Sequence, residues 1–383
     1  MGTNVGWWVA IESGGRAFLP APLPRGLPLP AGIVRRIGEV RTSLGRLAEG
    51  LRALPSPELF LRPFQTREAV LSSRIEGTQT TLEQALVHDA SDVVKAHGAE
   101  DLEVLNYGRA LRIGDAALAA GRPLTIYLLR ELHRELLRGV RGSDKKPGEF
   151  RDRQVWIGDP ARGRDPTAAR FVPPPPLDVE PCLHELDAYL ADRTSDEGLV
   201  RVALAHYQLE TIHPFLDGNG RVGRLLLALQ MAWEGLLDCA CLFVSPSLER
   251  QRQRYYDELL RVSVAGDYFG WIAFFLEVVA ESATDTLQRL QRLRQLQEQF
   301  LAKLRQEASP KPALLVPYLF ERPYLTASMV MQHLGCESKP AQAAVERLLR
   351  AGILVPTTAS GARGRGRPAQ WYVCPEIIAV LRE

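Results

Sequence analysis

His213-Pro214-Phe215-Leu216-Asp217-Gly218-Asn219-Gly220-Arg221-Val222-Gly223-Arg224 is the stretch on which the reading of this chain turns. Gly218 and Gly220 flank Asn219 just before a helical run, and glycine permits the tight turn that aims successive backbone N–H groups at one spot. The helix N-terminus adds its partial positive charge, which makes an anion site suited to phosphates. Arg221 and Arg224 lie three residues apart on that helix, near one face, where they can grip further phosphate oxygens. A carboxylate at Asp217 would be repelled by those phosphates unless a cation sits between, and Mg²⁺ is the natural one. His213 stands at the mouth with a near-neutral reference pKa, fit to take a proton from an attacking group. A histidine before a proline, or a Gly-Asn-Gly, is ordinarily only a turn. Base, acid, glycine nest and two arginines within one short segment imply in-line transfer of a phosphate-containing group.

Outward from this segment the chain reads as mainly helical. Apolar spacing predicts helices over 33–54, 58–76, 99–120, 126–137, 179–193, 199–210, 247–265 and 268–308, with Gly77 and Gly121 as stops. Residues 1–30, rich in Gly and Pro, read as an extended arm, and 148–158 as a short hairpin or flap. The polyproline run 173–176 is stiff. With 383 residues, 46% of them hydrophobic and 24% charged, the chain has the composition of a folded protein of two or three domains. A net charge of +2 argues against a chain that coats nucleic acid over its whole surface. No apolar run is long enough to span a membrane and no signal peptide is visible. Five cysteines in no paired pattern suit small buried apolar positions in a reducing, cytoplasmic setting.

The twelve residues resemble, at every defining position, the signature of the Fic family, His-Pro-Phe-x-Asp/Glu-Gly-Asn-Gly-Arg-x-x-Arg. Pro147 to Arg151 and Gln154 to Gly158 look like that family's flap, Phe171 to Pro176 like the segment after it, and Tyr255-Tyr256, Trp271 and Phe274-Phe275 like its closing helices. The resemblance spans about residues 30–290. It implies a Fic helical core with a small β-hairpin flap and transfer of AMP from ATP to a Tyr, Ser or Thr hydroxyl of a protein, which could include the chain itself. By the same resemblance His213 would deprotonate the hydroxyl and Asp217 would hold Mg²⁺. Gly218, Asn219 and Gly220 would form the anion hole, and Arg221 and Arg224 would meet the departing phosphates. Ile157, Gly158, Val222, Gly223, Tyr255, Tyr256 and Glu76 would complete the ATP surroundings, the tyrosines on the adenine side. The flap would dock the target as an added strand. Asp152 and Arg153 stand where relatives carry small polar residues. The implied parts are an N-terminal helical region over 1–120, a catalytic core over 121–290, and a linker helix with a C-terminal module over 291–383. Dimers are frequent in the family, and the long helical stretch from Tyr268 could support one.

Ser72-Ser73-Arg74-Ile75-Glu76-Gly77 places Ser72 and Glu76 on one helix face. Taken alone this is an ordinary helix end. Fic proteins with an inhibitory helix carry Ser/Thr-x-x-x-Glu-Gly/Asn, and by that resemblance Glu76 would pair with Arg224 where the γ-phosphate would lie, leaving ATP an unproductive pose.

From Ala313 on, the order is helix, helix, turn, helix and two short strands, the pattern of a winged helix-turn-helix, with Thr326 and Ser338 expected as helix caps. Two readings stay open. As a DNA-binding module it would face the major groove with Ser338, Lys339, Gln342 and Arg347 and reach a minor groove with the arginine-rich loop 361–368. As a dimerisation or target-docking module that loop would be a solvated tip. A transcriptional regulator that senses nucleotide is therefore the alternative to an enzyme, as is a Fic enzyme transferring another phosphate-bearing group.

Overall fold

Residues 199–212 and 219–231 are apolar on nearly every side, a pattern that belongs to helices inside a core. The computed structural model, which describes residues 4–12, 14–90, 98–158, 169–305, 309–358 and 369–382, buries both. Along the chain run β1 (Gly6–Ala10), β2 (Arg16–Pro20), α1 (Ala31–Arg52), α2 (Pro57–Ile75), α3 (Leu82–Ala90), α4 (Ala99–Ala119) and α5 (Ile126–Leu136). Then come β3 (Ile157–Gly158), β4 (Ala169–Phe171), α6 (Pro176–Ala191), α7 (Gly198–Ile212), α8 (Asn219–Trp233), α9 (Ser245–Arg250) and α10 (Arg252–Ala265). The chain continues through α11 (Tyr268–Lys303), α12 (Lys311–Glu321), β5 (Tyr324–Thr326), α13 (Ala327–Leu334), α14 (Ser338–Arg350), β6 (Val355–Thr357), β7 (Trp371–Val373) and α15 (Pro375–Arg382). The mainly helical class expected from the sequence is what forms. No helix among the described residues is long and apolar enough to cross a membrane.

Contacts group into two units. The first holds residues up to Gly45 and Arg109–Ala283, the second Arg46–Gly108 and residues from Thr284 on. In the first, α7 packs between α6 and α8, and α8 rests on α5. Residues 6–20 are not the extended arm expected from their prolines. β1 and β2 form an antiparallel hairpin in register from Gly6↔Pro20 to Ala10↔Arg16. Gly14 and Gly15, both at positive φ, make its turn, and Trp8 and Phe18 meet at 5.2 Å. Phe18 donates its N–H to Val172 C=O and packs on Phe171, so the hairpin lies against β4, which pairs in turn with β3. A small hairpin is present as β3–β4, but the stretch 148–158 expected to form it supplies only β3, and the partner strand lies beyond it at 169–171. The helix expected over 247–265 is two, α9 and α10, broken at Gln251.

In the second unit α2 lays Phe60 on Phe320 of α12 at 5.2 Å, and Arg62 ties Asp89 and Glu321 at 2.8 and 2.6 Å. α2 closes as expected: Thr78 N–H bonds Ser73 C=O and Gly77 takes φ +96°. α3, β5 and α15 were not anticipated. They are short, and their apolar residues face neighbours far away in sequence. Thr326 caps α13 by accepting Met329 N–H, and Gly335 ends it at φ +56°. Ser338 is not the cap of α14. Glu337 occupies that position, and Ser338 is already helical. α14 buries Ala341, Ala344, Val345 and Leu348 and turns Ser338, Lys339, Gln342 and Glu346 outward, with Arg347 half-buried. The small sheet has the order β5-β7-β6. The arginine-rich loop 361–368 lies outside the described residues.

Candidate active site

The site begins where α7 stops. His213 adopts φ 50°, ψ 62°, one of two non-glycine residues at positive φ among those described, and Pro214 after it has no N–H to continue the ladder. Helix ends leave carbonyls without helical partners. Here Arg151 supplies donors: its guanidinium binds the carbonyls of Ile212, His213 and Pro174, and its own N–H binds Pro214 C=O. Burial pulls Arg151 down to about 10, still charged at neutral pH. The His213 ring is half-buried, with Nδ1 3.3 Å from Glu210 C=O. A carbonyl only accepts, so Nδ1 carries the proton and Nε2 the lone pair.

Asn219 folds back on the turn. Its Oδ1 accepts Phe215 N–H and its Nδ2 donates to Phe215 C=O, each at 2.8 Å. The side chain of Asn219 closes the loop, and its backbone N–H lies at the helix N-terminus where the sequence expects the anion hole. Gly218 is the left-handed N-cap of α8 at φ +80°, and the helical ladder starts with Val222 N–H on Gly218 C=O. The N–H groups of Asn219, Gly220 and Arg221 are thus outside α8's own ladder, as at any helix start. An Asn219→Ala chain leaves a buried N–H and C=O at Phe215 without their partner. A loss of about 2–4 kcal/mol is expected, read as a lowered urea midpoint at unchanged slope.

Arg221 and Arg224 are each only 1% exposed. Arg221 Nη2 lies 3.4 Å from Asp217 Oδ1. The other carboxylate oxygen of Asp217 lies where a Cβ on Gly142 would come within 2.8 Å, so the bare glycine, at φ +87°, makes room for it. Among the described residues no cluster of three or more metal-ligating side chains occurs. A single carboxylate suits Mg²⁺ that takes its remaining ligands from phosphates and water.

Two histidines that sequence spacing passes over flank the turn. His133, on α5, receives Gly148 N–H at Nδ1 (2.8 Å) and donates from Nε2 to Asp217 C=O (2.9 Å), its ring stacked on Phe215 at 3.8 Å. His206, on α7, donates from Nδ1 to Gly223 C=O (3.0 Å), so its Nε2 accepts the Tyr255 hydroxyl (2.8 Å). Gly223 and Val222 accordingly belong to the packing of α8 on α7: Val222 is fully buried, and a Cβ on Gly223 would meet Glu210. Tyr255 is buried against His206, Trp271 and Tyr256, whereas Tyr256 is half-buried. Ile157 and Gly158 form β3, half-buried and exposed respectively. Ser72 is buried in α2 of the second unit, with half-buried Glu76 at that helix's C-cap.

Burial holds both imidazoles neutral, each with its pKa lowered to about 4. Unfolded, they titrate near 6.5. The folded pKa being the lower one, each contributes full stability above about pH 6.5 and loses it as the pH falls toward 4, where only the unfolded chain takes up protons. A tenfold difference in proton affinity corresponds to about 1.4 kcal/mol, so each histidine accounts for about 3 kcal/mol. Urea midpoints should therefore hold steady above pH 7 and fall steeply between pH 6.5 and 4; a flat profile there contradicts the neutral pair.

Comparison with known proteins gives matches to one family. Residues 123–231 match the Fic/DOC family model and residues 34–116 the Fic/DOC family N-terminal model. A Drosophila yakuba protein, "Protein adenylyltransferase Fic", is 29% identical over 250 residues, 62% of this chain and 46% of that protein. The Drosophila ananassae protein of the same name is 31% identical over 217 residues, covering 56% and 39%. The chain thus spans about half the length of the curated relatives it matches. A Fic family protein from Desulfovibrio desulfuricans shares the fold at TM-score 0.57 and 24% identity, covering 92% of this chain and 98% of its own. Fic-1 (residues 134–508) from C. elegans shares it at TM-score 0.51 and 23% identity, covering 69% and 75%.

Proposed function

Since the chain belongs to the Fic/DOC family through residues 34–116 and 123–231, we propose that it transfers AMP from ATP to a Tyr, Ser or Thr hydroxyl of a protein. The observation that carries the reading is one turn: a glycine-bounded helix N-terminus with two buried guanidinium groups on its first turns and a histidine at the end of the helix before it. The N–H groups at Asn219 and Gly220 and the cations of Arg221 and Arg224 bind the phosphates and stabilise charge that builds on the leaving group. His213 Nε2 takes the hydroxyl proton as the oxygen attacks the α-phosphorus. The new bond is O–P, the broken one joins the α-phosphorus to the bridging oxygen, and pyrophosphate leaves. Asp217 would hold Mg²⁺, which neutralises phosphate charge when bound. Tyr256 lies on the adenine side, with Tyr255 behind it holding His206. The target docks along β3 by strand addition, where Ile157 and Gly158 stand at the edge of the flap.

The same reading includes an inhibitory carboxylate. Ser72 and Glu76 close α2 in the Ser-x-x-x-Glu-Gly pattern, and Glu76 competes with the γ-phosphate for Arg224, a guanidinium whose burial makes an anionic partner valuable. Residues 1–120, 121–290 and 291–383 are assigned as regulatory, catalytic and accessory parts.

Mass spectrometry of the chain and of added proteins after incubation with ATP and Mg²⁺ tests the reaction class. An adenylyl adduct on a hydroxyl residue is expected. A phosphoryl adduct alone would replace AMP transfer with phosphate transfer.

A further inference from the structure

A buried histidine on a core helix ordinarily satisfies one polar atom and packs with the rest. His133 differs in what it joins. It sits on α5, 84 residues before Asp217, fully buried, with both ring nitrogens bonded to backbone of the site. Gly148 N–H can only donate, so Nδ1 accepts and the ring proton is on Nε2. Asp217 C=O can only accept, so that proton points at it. The ring plane lies on Phe215, whose N–H and C=O are both closed by Asn219. A Cβ on Gly218 would reach ordinary contact with Nε2 at 3.4 Å, so the ring lies directly against the start of α8. Gly148 C=O accepts Arg130 Nε at 2.8 Å, which fixes the far end of the same bridge, and Arg130 lies over Phe150 at 4.7 Å. The ring therefore links the start of the flap to the backbone of Asp217, the residue that bears the turn's carboxylate, through two hydrogen bonds, and stacks on Phe215.

We propose that His133 is a positioning residue: by donating Nε2–H to the Asp217 carbonyl it sets where the Asp217 carboxylate stands, and with it the affinity of the site for ATP together with Mg²⁺. The proposal rests on the AMP-transfer reading above, which supplies the role of Asp217. Residues that orient a metal-binding group from behind typically cost about 10–100-fold in metal affinity when removed.

The two bonds can be cut separately. A glutamine at 133 can place its amide N–H where Nε2–H was, keeping the bond to Asp217. An asparagine can place its amide oxygen where Nδ1 was, keeping Gly148 and losing Asp217. ATP binding is measured by titration calorimetry with Mg²⁺ and with EDTA, in the Glu76→Gly parent and with His133→Asn or His133→Gln added. Parent and His133→Gln should show the same strengthening of ATP binding by Mg²⁺ within about threefold. His133→Asn should lose about 10-fold or more of that strengthening, with binding in EDTA little changed. Equal Mg²⁺ responses in the parent and a folded His133→Asn chain overturn the proposal and leave the functional reading intact. A parent whose ATP binding ignores Mg²⁺ overturns the role of Asp217, and the proposal with it. Should His133→Asn fail to fold, the imidazole Nε2–H signal of ¹⁵N-histidine-labelled parent decides. It should move when Mg²⁺ joins ATP; a signal indifferent to Mg²⁺ overturns the proposal.

Discussion

A His213→Ala chain should fold as the parent does and transfer AMP about 10²- to 10⁴-fold more slowly, the usual worth of a general base. The expectation follows from the ring's setting. Nδ1 is held by Glu210 C=O, which leaves the lone pair on Nε2. The imidazole is half-buried at the C-cap of α7, open enough for an incoming hydroxyl. Alanine keeps a Cβ, so it meets the same left-handed backbone at φ 50° that histidine meets and adds no new strain. The loss should therefore fall on kcat, with ATP affinity nearly unchanged, because the phosphate-binding turn is built from other residues. A variant that loses ATP binding and kcat together would assign His213 to the architecture of the turn and not to proton transfer.

Glu76→Gly is expected to act in the opposite direction, raising AMP transfer by about 100-fold. An anionic partner on a buried guanidinium is worth about 2–3 kcal/mol, and at 1.36 kcal/mol per tenfold that is close to two decades. Glu76 stands at the C-cap of α2 at φ −87°, ψ 3°, followed by Gly77 at φ +96°. Glycine fits that place sterically and costs at most about 1 kcal/mol in chain entropy. The rise should appear in the initial rate at saturating ATP and should be absent from Ser73→Ala, since Ser73 is buried in α2 outside the Ser-x-x-x-Glu pattern. An unchanged rate in Glu76→Gly removes the brake and leaves the transfer site standing.

The phosphate turn was legible because its chemistry is local: glycines, arginines, a carboxylate and a histidine lie within one turn and the helix it opens. The helical class was legible for a similar reason, since α7 and α8 are long and apolar and Gly77 and Gly335 stop their helices at positive φ. What escaped depends on pairings that spacing does not encode. His133 looks like any apolar-face residue of α5 until Asp217 and Gly148 are brought to its two nitrogens. Gly142 is one glycine of a loop until the Asp217 carboxylate lies against it. Arg151 was visible only as part of a flap pattern, and its hold on the end of α7 needs three carbonyls from two segments. The N-terminal hairpin was hidden by its prolines: Pro20 and those after it suggested an arm, whereas the Trp7-Trp8-Val9 and Ala17-Phe18-Leu19 strands pair across the Gly14-Gly15 turn. The turn's place for Asn219 was legible, but the part its side chain plays in closing the loop on Phe215 was not, because spacing does not show which backbone groups an amide will meet.

The most direct test of AMP transfer at His213 is a time course of α-labelled ATP on the Glu76→Gly chain with Mg²⁺, run beside Glu76→Gly with His213→Ala. Label on protein is expected in the first, and a fall of at least about 10²-fold in the second. Label from γ-labelled ATP with none from α-labelled ATP, or α-label that persists undiminished without His213, would contradict transfer of AMP by that histidine.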